Sequence, residues 1–292
     1  MTGLISEDQP QLQHHIAYFL LPNSYFVLLP YFYLVSYPSL TITFLGTGTS
    51  AGVPMIACEC PVCTSPDKKD NRLRSSIMVQ SENTTLVVDS GPDFRYQMLR
   101  ARVKHLDAIV FTHAHKDHVA GLDDVRAFNF FSQQPMHVYA SDVTQEVILR
   151  EFPYAFNEFK YPGVPDIQLN TIALEPFMAG DLPVTPILVW HLKMPVLGFR
   201  FGRFTYITDA NRIEESELDK IKGSDVLVLN ALRKEKHISH YSLGESIEVA
   251  KSLKMPQCYL THISHQLGRH ADVDAELPRG VNLAYDGLVI KV

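Results

Sequence analysis

Apolar and polar positions divide the chain unevenly. Residues 16–36 form a nearly unbroken apolar and aromatic run, and no Lys or Arg precedes Lys68. Such a run invites a membrane reading. Pro22 and Pro30 interrupt it, however, Asn23 and Ser24 dilute it, and neither flank offers the basic residues that orient an anchor helix. Residues 1–39 are therefore set apart as an extension, either a packing arm or the product of a misassigned start, with a membrane anchor disfavoured. From Ser39 onward the pattern changes to short β-rich runs closed by polar or glycine-containing turns, at 41–45, 85–88, 108–112, 184–190, 204–208, 226–229 and 258–261. Helical patterns alternate with them at 93–101, 143–152, 214–221 and 243–253. The last is the clearest, because Ser242 and Glu245 form a capping box that starts the helix just after Tyr241. Strands and helices spread through 40–292 without a linker predict one layered α/β domain.

Composition narrows the picture. With 46% apolar residues in a chain of 292, a substantial core is available. The net charge of −6 provides no global basic field of the kind that gathers nucleic acid, so a long polyanionic partner is disfavoured and a small phosphorylated one is not. Thirteen histidines are many, and neutral imidazole is a common ligand for zinc-like metals. Three of the four cysteines crowd together as Cys58, Cys60 and Cys63, a spacing too tight for a disulfide framework and natural for thiolates converging on one metal. This points to a reducing, cytoplasmic setting.

The densest chemistry follows the apolar run that begins at Ala108. In His113-Ala114-His115-Lys116-Asp117-His118, four metal-ligand side chains occupy six positions at the end of a strand. A buried strand holds ligands to the tolerance that coordination needs. Alternation directs His113 and His115 to one side, and Asp117 and His118 reach a second ion once the chain turns into a helix. Two ions about 3.5–4 Å apart clamp the attacking and leaving oxygens of a hydrolysis.

This stretch resembles the H-x-H-x-D-H motif of the metallo-β-lactamase superfamily. The resemblance implies a four-layer αβ/βα sandwich with its metals at one edge, and three further ligands in order. His191 after 184–190, Asp209 after 204–208 and His262 after 258–261 match that order. By the resemblance, His113, His115 and His191 hold one divalent ion, Asp117, His118 and His262 hold the other, and Asp209 bridges them. Asp89, after 85–88, resembles the family's aspartate that orients a ligating histidine. An ordinary turn aspartate is the alternative.

The glycine-rich stretch from Gly46 to Pro54 offers hydroxyls and backbone N–H groups to a phosphate, a weak signal alone. Together with Cys58, Cys60, Cys63, Arg72 and Arg74 it resembles one branch of the superfamily, the phosphoribosyl cyclic phosphate phosphodiesterases of the carbon–phosphorus lyase pathway. That branch implies a structural zinc held by three cysteines and a distant histidine, here His265, with Cys258 as the rival fourth ligand. It also implies two active-site metals, zinc or manganese, and a hydroxide between them that opens 5-phosphoribosyl 1,2-cyclic phosphate. His240, ahead of the capped helix, resembles the histidine that acts there as general acid or transition-state stabiliser, with His237 competing for the role. Catalysis then falls to His240, Asp209 and Asp117. A homodimer is expected only by family habit. The rivals are a transfer-RNA 3′-processing ribonuclease and a thiolester hydrolase of the same fold.

Overall fold

The computed structural model describes residues 39–159 and 161–292. The apolar extension, with its arm and membrane readings, lies outside the described residues except for Ser39. Among the described residues, no helix is long and apolar enough to cross a membrane.

Fifteen strands and seven α-helices are described. In chain order they are β1 (Thr41–Gly46), β2 (Ser76–Gln80), β3 (Thr85–Val88), α1 (Phe94–Ala101), β4 (Ala108–Val110), α2 (Lys116–Val119), α3 (Arg126–Ser132), β5 (Met136–Ala140), α4 (Asp142–Glu151), β6 (Ile167–Thr171), β7 (Phe177–Ala179), β8 (Leu182–His191), β9 (Met194–Phe201), β10 (Phe204–Tyr206), β11 (Arg212–Ile213), α5 (Glu215–Ile221), β12 (Val226–Asn230), α6 (Leu243–Ser252), β13 (Gln257–Thr261), α7 (His270–Glu276), β14 (Val281–Leu283) and β15 (Val289–Lys291). One sheet has the order β15-β1-β2-β3-β4-β5-β6, and the other β11-β8-β9-β10-β12-β13-β14 with β7 paired to β8.

The layers follow from the two-residue period of the strands. Leu86 and Val88 face a core between the sheets, where they meet Phe44, Phe199, Phe201 and Tyr206. Val87 points the other way, into a layer with Phe94 and Met98 of α1, Val119 of α2 and Ile148 of α4. In the second sheet Val226 and Val228 enter the central core. Leu227 and Leu229 pack outward with Ile221 of α5, Ala250 of α6 and Val273 of α7. The result is the four-layer α/β/β/α sandwich. Because the central strands are covered on both faces, they read in sequence as continuous apolar runs with no polar alternation.

All seven β-rich runs become strands, and the four helical patterns become helices to within a residue or two at their ends. The capping box is present, with Ser242 N–H donating to Glu245 Oε2 at 2.9 Å and Glu245 N–H donating to Ser242 Oγ at 3.4 Å. Two differences bear on the site and on the sheet pairing. β4 ends at Val110, and beyond it Thr112 N–H turns to the Asp89 carboxylate at 2.9 Å. The last stretch, from Val281, divides between the sheets: β14 pairs with β13, and β15 pairs with β1 after a turn at Gly287 with φ 89°.

The connectivity places the chemistry. β3, β4 and β5 run parallel, as do β10, β12 and β13. Crevices at the carboxyl ends of parallel strands are where α/β folds bind ligands. Asp89 follows β3, His113 and His115 follow β4, Asp209 follows β10 and His262 follows β13, so both sheets deliver polar residues to one edge.

Candidate metal centre

Each delivery point needs a sharp turn out of a strand. Asp89, Asp209 and His262 take left-handed backbone angles of 65°, 56° and 54° in φ. Such conformations cost about 1 kcal/mol or more for a residue other than glycine and concentrate at functional sites. Two glycines bring the histidine cluster close. A Cβ at Gly91 would stand 2.0 Å from the Asp117 carbonyl oxygen, and one at Gly121 would stand 2.1 Å from the Gly91 carbonyl oxygen. Only glycine permits this approach, which seats α2 against the loop after β3 and turns Asp117 and His118 inward.

The structure brings all seven expected ligands and His240 together. Donor atoms of Asp117, His118 and His262 lie within 4.8 Å of one another, as do those of His113, His118 and Asp209, and those of His191, Asp209 and His240. The His113 ring lies 4.6 Å from that of His115 and 6.2 Å from that of His191, with 5.3 Å between the last two. Asp209 stands between the groups, its Oδ2 3.3 Å from His118 Nε2 and its Oδ1 3.2 Å from His262 Nε2.

Hydrogen bonds fix which nitrogen His113, His118 and His191 present. Asp89 accepts the N–H of His118 Nδ1 at 2.8 Å, leaving Nε2 to face the cluster. Asp89 also accepts the Thr112 hydroxyl at 2.9 Å, so the Thr112 oxygen in turn accepts the His113 Nδ1–H at 2.9 Å. One buried carboxylate thus orients two histidines, as the oriented-ligand logic of metal sites requires. Thr208 repeats the device: it donates to Asp209 Oδ2 at 2.7 Å and sits 3.5 Å from His262 Nδ1. His191 Nδ1 donates to the Ser239 carbonyl at 2.8 Å. His113 Nε2, His118 Nε2 and His240 Nδ1 are buried with no hydrogen-bond partner. Buried imidazole nitrogens aimed at one another and at carboxylates fit divalent ions and little else.

The electrostatics agree. Burial drives His113 well below its usual pKa, which keeps it neutral, the form a metal ligand requires. Burial opposes charge on Asp209 as well, but His262 and His118 outweigh it and hold the carboxyl ionised. At His118 burial is again opposed, by Asp89 and Asp209, and the pKa rises well above normal. The carboxylates therefore favour a positive charge at this point.

Sequence reasoning missed several participants. Thr112, Thr208 and Ser239 contact His113, Asp209 and His191, and Thr49 Oγ1 lies 3.3 Å from His262 Nε2, at the donor cluster itself. A signal for two of them was present, since a threonine immediately precedes His113 and Asp209, and a third precedes His262. The Ser239 contact is through backbone and leaves no mark in sequence. The reading of the glycine-rich stretch as a phosphate cradle needs correcting, because Gly48 N–H donates to Leu73 O, Thr49 N–H to Ile263 O and Gly52 N–H to Thr49 O. Those donors are used in holding the loop. His240 rather than His237 belongs to the cluster: its Nδ1 lies 3.8 Å from Asp209 Oδ1, whereas His237 Nδ1 turns to the Ser239 hydroxyl at 3.2 Å.

A second cluster lies beyond His262. Cys58, Cys60 and Cys63 Sγ approach His265 Nδ1 at 3.2, 3.4 and 3.5 Å, and no disulfide joins the cysteines. Three thiols and one imidazole nitrogen fit a closed tetrahedral site. The Cys63 N–H donated to its sulfur lowers the Cys60 thiol to about 6, while burial raises Cys63 to about 11. Cys258 is elsewhere, buried in the second outer layer with its thiol pushed up to about 12 by burial. Arg72 is buried and structural, donating to Thr47 Oγ1 at 2.8 Å and to the Ala284 carbonyl at 2.6 Å. Arg74 pairs with Asp93 at 3.2 Å.

Comparison with known proteins agrees with this geometry. A family model described as a beta-lactamase superfamily domain matches residues 84–263, more than half of the chain. A crystal structure described as a new diphosphatase from the PhnP family superposes with a TM-score of 0.82 at 38% identity, covering 87% of this chain and 97% of that one. Zn(2+)-bound PqqB from Methylobacterium extorquens shares the fold, with a TM-score of 0.67 at 21% identity over 86% of this chain and 100% of that one. An octanoyltransferase of Porphyromonas gingivalis is 35% identical over 247 residues, 84% of this chain. The chain spans only 50% of the length of that relative. A family model matching more than half of the chain, and a solved relative at 38% identity, make this chain a member of the metallo-β-lactamase superfamily.

Proposed function

We propose that the chain hydrolyses a small phosphodiester, with 5-phosphoribosyl 1,2-cyclic phosphate the leading substrate. The observation that carries the reading is Asp209, a buried carboxylate with one oxygen 3.3 Å from His118 and the other 3.2 Å from His262, at the junction of two donor groups. His113, His115 and His191 would hold one divalent ion and Asp117, His118 and His262 a second, with Asp209 shared between the two groups and zinc or manganese suited to both positions. Bound there, the ions polarise a phosphoryl oxygen and bring a water within reach of ionisation at neutral pH.

The chain's own groups do the rest. Asp89 keeps His118 and, through Thr112, His113 in the ligating tautomer. Burial, followed by His262, lowers His240 to about 3, so its ring is neutral in the working range. Its N–H then serves as a hydrogen-bond donor to the phosphoryl or leaving oxygen, which favours the stabilising role over that of a standing imidazolium acid. Cys58, Cys60, Cys63 and His265 hold a structural zinc, and three neighbouring free thiols suit a reducing, cytoplasmic setting.

The diphosphatase relative at 38% identity favours a second reading, cleavage of a phosphoanhydride in a small diphosphate by the same groups. The net charge of −6 weighs against RNA as substrate. Phosphorus NMR of the metal-loaded protein offered separately a ribose 1,2-cyclic phosphate, a 2′,3′-cyclic nucleotide, a nucleoside diphosphate sugar and a transfer-RNA precursor tests the reading. Opening of the cyclic ester is the expected result. Cleavage of the diphosphate alone selects the second reading, and cleavage of RNA alone defeats both.

A further inference from the structure

Both readings of the substrate give it two phosphoryl groups, and a metal pair clamps the one that reacts. The other needs donors of its own. His115, His191, His240 and His237 follow one another at 5.3, 4.5 and 5.3 Å between ring centroids. This row marks the open side of the centre, since His115 is exposed and His191 and His237 are half-buried, whereas His113, His118, Asp209 and His262 are buried. It ends at Arg233. Leu232 N–H donates to the Tyr241 carbonyl at 3.1 Å and Leu243 N–H to the Arg233 carbonyl at 2.8 Å, so the segment carrying His237 and His240 is a loop closed at Arg233. The Arg233 side chain folds back along that loop, its Nη2 donating at 3.2 Å to the Lys236 carbonyl, in the peptide group that joins Lys236 to His237. After burial, the Arg233 charge is the next cause that lowers the His237 pKa, so the guanidinium acts on that ring.

Arg233 differs from the other cations of its loop in lacking a counter-charge. Lys234 pairs with Glu276 at 3.5 Å and Lys236 with Glu245 at 3.7 Å. Arg233 has no carboxylate partner among the described residues. Its Nη1 donates to a neutral amide, Gln266 Oε1, at 3.0 Å, and its Nε is buried with no hydrogen-bond partner. A half-buried guanidinium left without an anion is costly, and its planar fork of donors suits a phosphate. His237 is prepared in the same sense. Ser239 N–H donates to its Nδ1 at 3.4 Å, so the neutral ring carries its proton on Nε2, a donor with no partner among the described residues.

The geometry points to Arg233 and His237 as a second anion subsite which, resting on the reading of the centre as a phosphoryl site, receives the phosphoryl group that the metals do not and favours substrates that carry two. Pentane-1,5-diphosphonate and pentylphosphonate share one anionic head and a flexible chain and differ in the second head, so they separate the two ideas. Each is titrated calorimetrically into the metal-loaded protein. The diphosphonate is expected to bind about tenfold more tightly, the scale of one charge-assisted hydrogen-bonded contact. The ratio of the two affinities is expected to fall to near unity in Arg233→Gln and by a smaller factor in His237→Ala. Equal wild-type affinities overturn the subsite and leave the phosphoryl reading standing, whereas binding of neither phosphonate overturns both. A wild-type ratio in Arg233→Gln assigns the preference to the metals and overturns the subsite. If Arg233→Gln binds neither ligand, the ratio in His237→Ala decides, and a wild-type value there overturns the subsite as well.

Discussion

His262 and His265 lie three positions apart, yet they belong to clusters of opposite construction. His262 leaves β13 through a left-handed turn, is 1% exposed, and joins donors delivered by strands of both sheets. His265 is half-buried and meets three cysteines on an irregular loop with no strand beneath them. The first cluster stores strain and unpartnered nitrogens against a rigid frame, the construction expected where reactivity must be held in place. The second closes a loop onto the frame, the construction expected where a metal supplies order that a small hydrophobic core does not.

Substitutions can break that contrast. The largest effect is expected from Asp209→Ala, which removes the carboxylate common to the donor groups. Turnover should fall by about a thousandfold or more, since Asp209 is proposed to position both ions. Circular dichroism should remain that of the folded chain, and elemental analysis should still find the cysteine-bound metal. Retention of full turnover would sink the assignment of the centre. Next is Asp89→Asn, which leaves the volume intact and disturbs the orientation of His118 and His113. Metal affinity should drop about 10–100-fold, the usual range for losing a ligand's orienting partner. A competitive chelator titration with unchanged affinity would show that Asp89 is only a turn residue.

Cys60→Ser addresses the other cluster. It should remove one metal per chain and lower Tm by several degrees, a loss on the order of 1–2 kcal/mol for a chain of this size, while the histidine-bound metals stay. Loss of all metals together would mean that the clusters are not separable.

The smallest effect concerns how the cysteine loop is seated. Arg72 donates to His270 Nδ1 at 3.0 Å, and His270 N–H donates to Asp70 Oδ1 at 2.7 Å. Burial, followed by Arg72, lowers His270 to about 4 from its usual 6.5. Between those values the unfolded chain binds a proton that the folded one refuses, so stability rises with pH through that window. It is complete above about 6.5 and lost as pH falls toward 4. Urea midpoints for wild type and His270→Gln across pH 4 to 7 should converge at the acid end. Parallel profiles would remove His270 from the account.

Much of the architecture was legible because its physics is local. A strand covered on both faces must be apolar at every position, which is why 85–88, 226–229 and 258–261 stood out, and the Ser242–Glu245 box is a short-range contact that sequence spacing alone specifies. The ligands were legible for a related reason, since an isolated histidine or aspartate at the end of an apolar run is conspicuous. The split of the closing stretch between two sheets was not, because both halves have the same pattern and only pairing with β13 or β1 separates them.

By itself, then, the sequence determined the element types, the order of the donors and the superfamily, since each is written in residue type and spacing along one strand or turn. Tertiary structure alone decided that one buried aspartate orients two histidines, one of them through a threonine, that His240 lies in the donor cluster and His237 does not, and that His265 and not Cys258 meets the three thiols. Each of these depends on distances between segments far apart in the chain, which spacing cannot encode and packing of the two sheets fixes.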